Sequence, residues 1–174
     1  MDRELADNLE ALHPDAFGWA LHCCGGDASR AEEVLQNAYL KIVQGRLHHA
    51  GASSFRTWWF GVIRLTAHEE FRRLCYRESL LGKLWMQLTG DARDPRPSPS
   101  HQAELDEQTL QLRAALAQLP ARQAEVLHLV FYQDLTLSEA AAVMKVSVGS
   151  VRQHYERGKA RLRSLLQPSS DHES

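Results

Sequence analysis

The sequence predicts an all-α fold: two small helical domains joined by a flexible Pro-rich linker, the C-terminal one a helix-turn-helix. Three observations predict it. Apolar residues recur at helical spacing on both sides of a central stretch, and no strand-like alternation persists. That stretch, L-T-G-D-A-R-D-P-R-P-S-P-S-H-Q-A from Leu88 to Ala103, carries Pro95, Pro97 and Pro99 at alternate positions. Proline removes backbone donors and disfavours helix at the residue before it, so the segment is expected to be extended, reaching on the order of 50 Å. Beyond it a short Ala-rich helix, a turn and a longer basic helix follow one another. The expected domains are residues 1–87 and 104–168, with 88–103 as linker.

In the first domain Phe17, Ala20, Leu21 and Cys24 share a helix face that stops at Gly25-Gly26-Asp27. Ser29-x-x-Glu32 has the pattern of a capping box and is expected to open the next helix, with Val34, Leu35, Ala38 and Ile42 inward and Gly45 as its stop. After H-H-A-G-A-S-S comes the strongest apolar stripe, Phe55, Trp58, Trp59, Val62, Ile63 and Thr66, on a helix expected to run through Phe71 toward Tyr76. Past the linker, Leu105 to Leu119 is helical and stops at Pro120. A second helix, from about Arg122 to Tyr132, buries Val126, Leu127 and Val130. Thr136-x-x-Glu139 is another capping-box pattern, opening the helix S-E-A-A-A-V-M. Lys145-Val146-Ser147 breaks that helix before the last one.

With 174 residues, 44% hydrophobic and 24% charged, the composition is that of a globular chain. No apolar run approaches the roughly 18 residues of a spanning helix, and the N-terminus is acidic, so a cytoplasmic protein without membrane insertion is expected. Cys23, Cys24 and Cys75 form no even framework and no C-x-x-C pair, which points to buried thiols rather than disulfides or metal ligands. His22 beside the Cys pair and the His48-His49 doublet lack metal-site spacing, and no metal is expected. The net charge of -2 hides two cationic blocks: residues 56–77 sum to +3 and residues 145–163 to +5. Residues 1–45 sum to -5. Two anionic contacts on one chain are implied, with the acidic parts facing something else.

Placed at 100° per residue, the last helix turns Val148, Val151, Tyr155, Gly158, Leu162, Leu165 and Leu166 to one side. The other side presents Gly149, Ser150, Gln153, Glu156 and Arg157, side chains able to read base edges in a major groove, while Arg152, Lys159 and Arg163 flank it at phosphate height. A merely solvated basic helix is the competing reading. The helix-turn-helix spacing and the polar face together favour DNA. In the other cationic block Arg64, His68, Arg72 and Arg73 follow Trp58 and Trp59. Cations beside aromatics suit an unstacked single strand, although tryptophans at this spacing also serve as core.

The two halves together resemble a known family, the extracytoplasmic-function sigma factors of bacterial RNA polymerase. R-A-E-E-V-L-Q-N-A-Y-L-K (Arg30 to Lys41) and F-R-T-W-W-F-G-V-I-R-L-T-A-H-E-E-F-R-R (Phe55 to Arg73) are similar to the second conserved region of that family. L-T-L-S-E-A-A-A-V-M-K-V-S-V-G-S-V-R-Q-H-Y-E-R-G-K-A-R-L-R (Leu135 to Arg163) resembles the fourth. The resemblance implies a promoter-specificity subunit without catalysis or cofactor of its own. Its implied partners are core RNA polymerase, promoter DNA as duplex and as melted strand, and an anti-sigma factor. It implies polymerase docking by Glu33, Gln36, Asn37, Tyr39 and Lys41. It implies minus-ten contacts by Phe55, Trp58, Arg64, His68, Arg72 and Arg73, and minus-thirty-five contacts by Ser150, Arg152, Gln153, His154, Arg157 and Lys159. The chain departs from the family pattern at Asn37, Leu65, His68, Lys145 and Ser147, where an acid, Asn, Arg, Gly and Pro are usual. A left-handed Lys145 would cost about 1 kcal/mol, whereas Ser147 is a good N-cap. A stand-alone helix-turn-helix regulator is the alternative. It would bind palindromic duplex sites without polymerase.

Overall fold

The computed structural model describes the backbone of residues 3–89 and 107–166, with side chains for 3–76, 111–112 and 114–166. Among these residues the elements are all helical: α1 (Arg3–Ala11), α2 (His13–Cys23), α3 (Ala28–Val43), α4 (Phe55–Thr89), α5 (Glu107–Ala117), α6 (Ala121–Phe131), α7 (Leu137–Met144) and α8 (Val148–Leu166). They divide into two compact units, Met1–Ala50 with Trp59–Ser100, and Gly51–Trp58 with His101–Ser174. The proline-rich stretch expected at 88–103 lies outside the described residues apart from Leu88 and Thr89, which continue α4. That helix runs beyond Tyr76 because R-E-S-L-L-G-K-L-W-M-Q-L has one glycine and no proline to stop it.

The first unit packs α1, α2, α3 and the part of α4 from Trp59 onward around a core that includes Trp19, Leu35, Ile42, Trp59, Phe60 and Ile63, each nearly or wholly withdrawn from solvent. The buried stripe of α2 is Ala16, Trp19 and Ala20, while Phe17, Leu21 and Cys24 are half-buried. The expected face is therefore rotated toward Trp19, whose indole Nε1 donates to the Phe60 carbonyl at 3.0 Å and so carries no polar penalty inside. Trp59 is core, and Trp58 is half-buried with its ring 5.4 Å from that of Phe55.

Helix ends follow local chemistry. At the end of α2, Gly25 and Gly26 both take positive φ, with Gly25 N–H donating to His22 O and Gly26 N–H to Leu21 O. Gly45 does the same for α3, as expected: its N–H meets Ile42 O and that of Arg46 meets Lys41 O. The capping box expected at Ser29 and Glu32 does not open α3. Asp27 does, its Oδ1 accepting from Arg30 N–H at 3.1 Å, because the two glycines deliver Asp27 in an extended conformation one residue before the helix.

The second unit packs α5, α6 and α7 against α8 around Val126, Leu127, Leu129, Val143, Met144 and Val151. Leu129 takes the fully buried position on α6 and Val130 is half-buried. At Gly158 α8 lies tight against α6: a Cβ there would meet Leu127 Cδ1 at 3.2 Å and Gln123 Cβ at 3.3 Å.

Candidate nucleic-acid interface

Thr136 opens α7 with both halves of a capping box. Its Oγ1 accepts from Glu139 N–H at 3.2 Å, and its own N–H and hydroxyl donate to Glu139 Oε2 at 2.9 and 2.8 Å. The bond from the Thr136 N–H, followed by that from its hydroxyl, holds the Glu139 carboxyl below its ordinary value. Ala140 and Ala141 are buried, which lets α7 cross α8 closely. The helix ends at Lys145 with φ 54° and ψ 49°, left-handed without glycine, and Val146 N–H closes the turn onto Ala141 O at 3.2 Å. Ser147 then caps α8, accepting from Ser150 N–H at 3.1 Å. A helix, a three-residue turn and a second helix are thus assembled as the sequence predicts.

On α8, Val151 and Gly158 are buried and Tyr155 and Leu162 half-buried, as the arc requires. Val148, Leu165 and Leu166, at the two ends of the 19-residue α8, belong to the same arc yet are exposed, so the buried arc is shorter than expected. Arg152, Gln153 and Arg157 face solvent together, and His154 is half-buried. Ser150 is engaged in the cap, its hydroxyl 2.9 Å from that of Ser147. Lys159 lies back along the helix, 3.1 Å from Glu156 Oε1 and 4.3 Å from the Tyr155 ring centre.

The predicted minus-ten residues separate on α4. His68, Arg72 and Arg73 are exposed, whereas Arg64 is 5% exposed and belongs to the buried side of the helix. Leu65, 37% exposed, and Tyr76, 68% exposed, lie one turn either side of His68 and Arg72. Phe55 and Trp58 are half-buried in the first turn, which Ser54 caps through Thr57 N–H at 3.2 Å.

The predicted docking residues of α3 also divide. Glu33 and Gln36 face solvent. Tyr39 is half-buried, its hydroxyl 2.9 Å from His13 Nδ1 and its ring 5.0 Å from that of Trp59, and burial raises its phenol above the ordinary value. Asn37 Nδ2 donates to Glu70 Oε1 at 3.3 Å. Lys41 Nζ lies 2.6 Å from Glu69 Oε2 and 2.9 Å from Thr66 Oγ1. Leu40 and Val43, 51% and 61% exposed, continue the outward face past Gln36. Sequence reasoning missed this pair, although both fall outside the predicted inward stripe.

Cys24 is half-buried, and burial, reinforced by the Asp27 charge, pushes its thiol up to about 11, so it stays protonated at neutral pH. Among the described residues no group of three or more His, Cys, Asp or Glu side chains could hold a metal ion, and no helix is long and apolar enough to cross a membrane.

Two helical units, one ending in a helix-turn-helix whose last helix has a solvent-facing cationic side, have the layout of a DNA-binding protein. Comparison with known proteins narrows the class. Residues 9–74 match the model for Sigma-70 region 2 and residues 115–164 that for Sigma-70 region 4, together more than half of the chain. The chain is 29% identical over 159 residues to the ECF RNA polymerase sigma factor SigX of Bacillus subtilis, covering 91% of this chain and 81% of that one. It is 26% identical over 163 residues to the sigma factor EcfG of Rhodopseudomonas palustris, covering 93% and 84%. Its fold is similar to that of the sigma factor RpoE solved with the anti-sigma factor NepR from Bartonella quintana, with a TM-score of 0.67 at 20% identity over 95% of this chain and 98% of that one. CnrH, solved with the cytosolic domain of CnrY, gives 0.62 at 20% identity, covering 95% and 89%. The chain belongs to the sigma-70 family, as an RNA polymerase sigma factor of the extracytoplasmic-function type.

Proposed function

We propose that residues 1–87 seat the protein on core RNA polymerase through the outward face of α3, with Glu33 and Gln36 at its centre. His68, Arg72 and Arg73 of α4 then engage the minus-ten element and help melt it, with Phe55 and Trp58 offering aromatic surface to the opened strand. Residues 104–168 read the minus-thirty-five element as duplex. Gln153 and Arg157 meet base edges, and Arg152 meets phosphate. The observation that carries this reading is the order of the two sigma-70 regions on two helical units, the second with Arg152, Gln153 and Arg157 exposed along α8. The protein supplies specificity and acts in the cytoplasm, and the nucleotidyl transfer is the polymerase's own. The complexes in which RpoE and CnrH were solved support an anti-sigma factor as a further partner.

Run-off transcription with purified bacterial core polymerase, on promoter fragments enriched by the reconstituted holoenzyme, tests the reading. The expected outcome is a transcript dependent on two unlike elements, with weak binding by the protein alone. Binding of a palindromic duplex without polymerase, together with no affinity for core, would sink it in favour of a stand-alone regulator.

A further inference from the structure

Two of the residues assigned by resemblance to polymerase docking do not lie on the outward face of α3. Asn37 and Lys41, one helical turn apart, both reach α4. Glu70 Oε1 accepts from Asn37 Nδ2 at 3.3 Å and from Arg73 Nη1 at 3.2 Å, so a single carboxylate oxygen joins α3 to a DNA-facing cation. The Glu70 side chain is 19% exposed and that of Arg73 72%, which makes the carboxylate the inner anchor and the guanidinium the outer end of the chain. Lys41 Nζ makes the second link, to Glu69 Oε2 at 2.6 Å and to the hydroxyl of the fully buried Thr66 at 2.9 Å.

Both links are charge-assisted, and such bonds are the directional ones. Trp59, Phe60 and Ile63 already seat α4 in the core, and the two links add directional ties from α3 to the turn of α4 that holds Thr66, Glu69 and Glu70, beside His68, Arg72 and Arg73. They also act on charge. Glu69 and Glu70 sit next to His68 and within the turn that carries Arg72 and Arg73, where an uncompensated carboxylate would repel a phosphate backbone. Lys41 neutralises one and Arg73 the other.

We propose that Asn37 and Lys41 are positioning residues for promoter opening, acting through Glu70 and Glu69 on α4. Docking falls to Glu33, Gln36 and the exposed apolar pair Leu40 and Val43. This rests on the sigma-factor reading of α4 as the minus-ten helix, and it names residues that work for DNA from the helix that faces polymerase.

The test uses holoenzyme reconstituted from core polymerase and the full chain. Asn37→Ala and Lys41→Met are compared with Gln36→Ala and Leu40→Asp, reading core affinity by competition and open-complex formation on a duplex promoter and on the same promoter with a pre-opened minus-ten bubble. Loss of a hydrogen bond to a charged group predicts about a tenfold drop in opening on duplex for Asn37→Ala and Lys41→Met, most of it recovered on the bubble, with core affinity kept within about twofold. Gln36→Ala and Leu40→Asp should instead lose core affinity by about tenfold and show the same deficit on both templates. In a Glu70→Ala background, where no acceptor is left for Asn37, Asn37→Ala should add little, since the two act as a unit. Thermal unfolding of each variant accompanies the measurement, and if Lys41→Met does not fold, Asn37→Ala decides alone. Loss of core affinity in Asn37→Ala comparable to that of Gln36→Ala overturns the proposal. Absence of promoter opening by the wild-type holoenzyme instead overturns the reading on which the proposal rests.

Discussion

At Thr136 and Glu139 a threonine and a glutamate satisfy each other and two backbone N–H groups at the mouth of α7, the helix that supports α8 from below. Because the folded carboxyl of Glu139 is held under its ordinary 4.5, its contribution is present above that value and disappears as pH falls through the lower, folded one. Thr136→Ala is expected to lower the stability of the chain by about 1 kcal/mol at neutral pH, the difference narrowing in acid, as chemical denaturation at a series of pH values would read. This cap is legible in the sequence because every atom in it lies within three residues. Ser29 and Glu32 present the same kind of pattern and do not cap. Asp27, placed by the glycines before it, is already there. A capping pattern therefore names a candidate, and the conformation of the preceding turn chooses among candidates.

Among the elements, the α7–α8 turn and the α6–α8 crossing each depend on one backbone position. Lys145 holds the left-handed conformation at a cost a glycine would not incur. Lys145→Gly should raise the unfolding free energy by about 1 kcal/mol without moving the recognition helix, seen as a higher denaturant midpoint and unchanged promoter preference. Gly158 is the opposite case, since Leu127 and Gln123 already occupy the space a side chain would need. Gly158→Val should destabilise the second unit by about 1–3 kcal/mol, measured in the same way. The sequence places Gly158 on the inward arc of α8. That Leu127 and Gln123 leave no room for a side chain there follows only from where α6 lies. The length of α4 shows the same division: periodicity marks where its apolar stripe is dense, and the absence of a breaker carries it on to Thr89.

Across the whole molecule, the net charge of -2 is divided so that α8 and residues 56–77 of α4 are cationic while residues 1–45 are acidic. Arg152 and Arg157 are both exposed and should behave differently. Arg157→Ala is expected to flatten the preference at one minus-thirty-five base pair by about 1–3 kcal/mol, whereas Arg152→Ala should weaken all sequences alike and lower the salt slope by about 1. Holoenzyme binding to a set of promoter variants at several salt concentrations separates the two. By itself the sequence determined the helical class, the order of the two sigma-70 regions, most helix ends, and the polar face of the recognition helix, because these depend on periods and hydrogen bonds closed within a few residues. Tertiary structure decided that Trp19 and Phe60 share a buried bond, and that Arg64 is withdrawn from the solvent-facing cations Arg72 and Arg73. It also turned Asn37 and Lys41 inward to α4 and left Leu40 and Val43 in solvent. The partners in these cases stand some 25 to 40 residues away along the chain, and a helical period says which residues share a face but not what that face will meet.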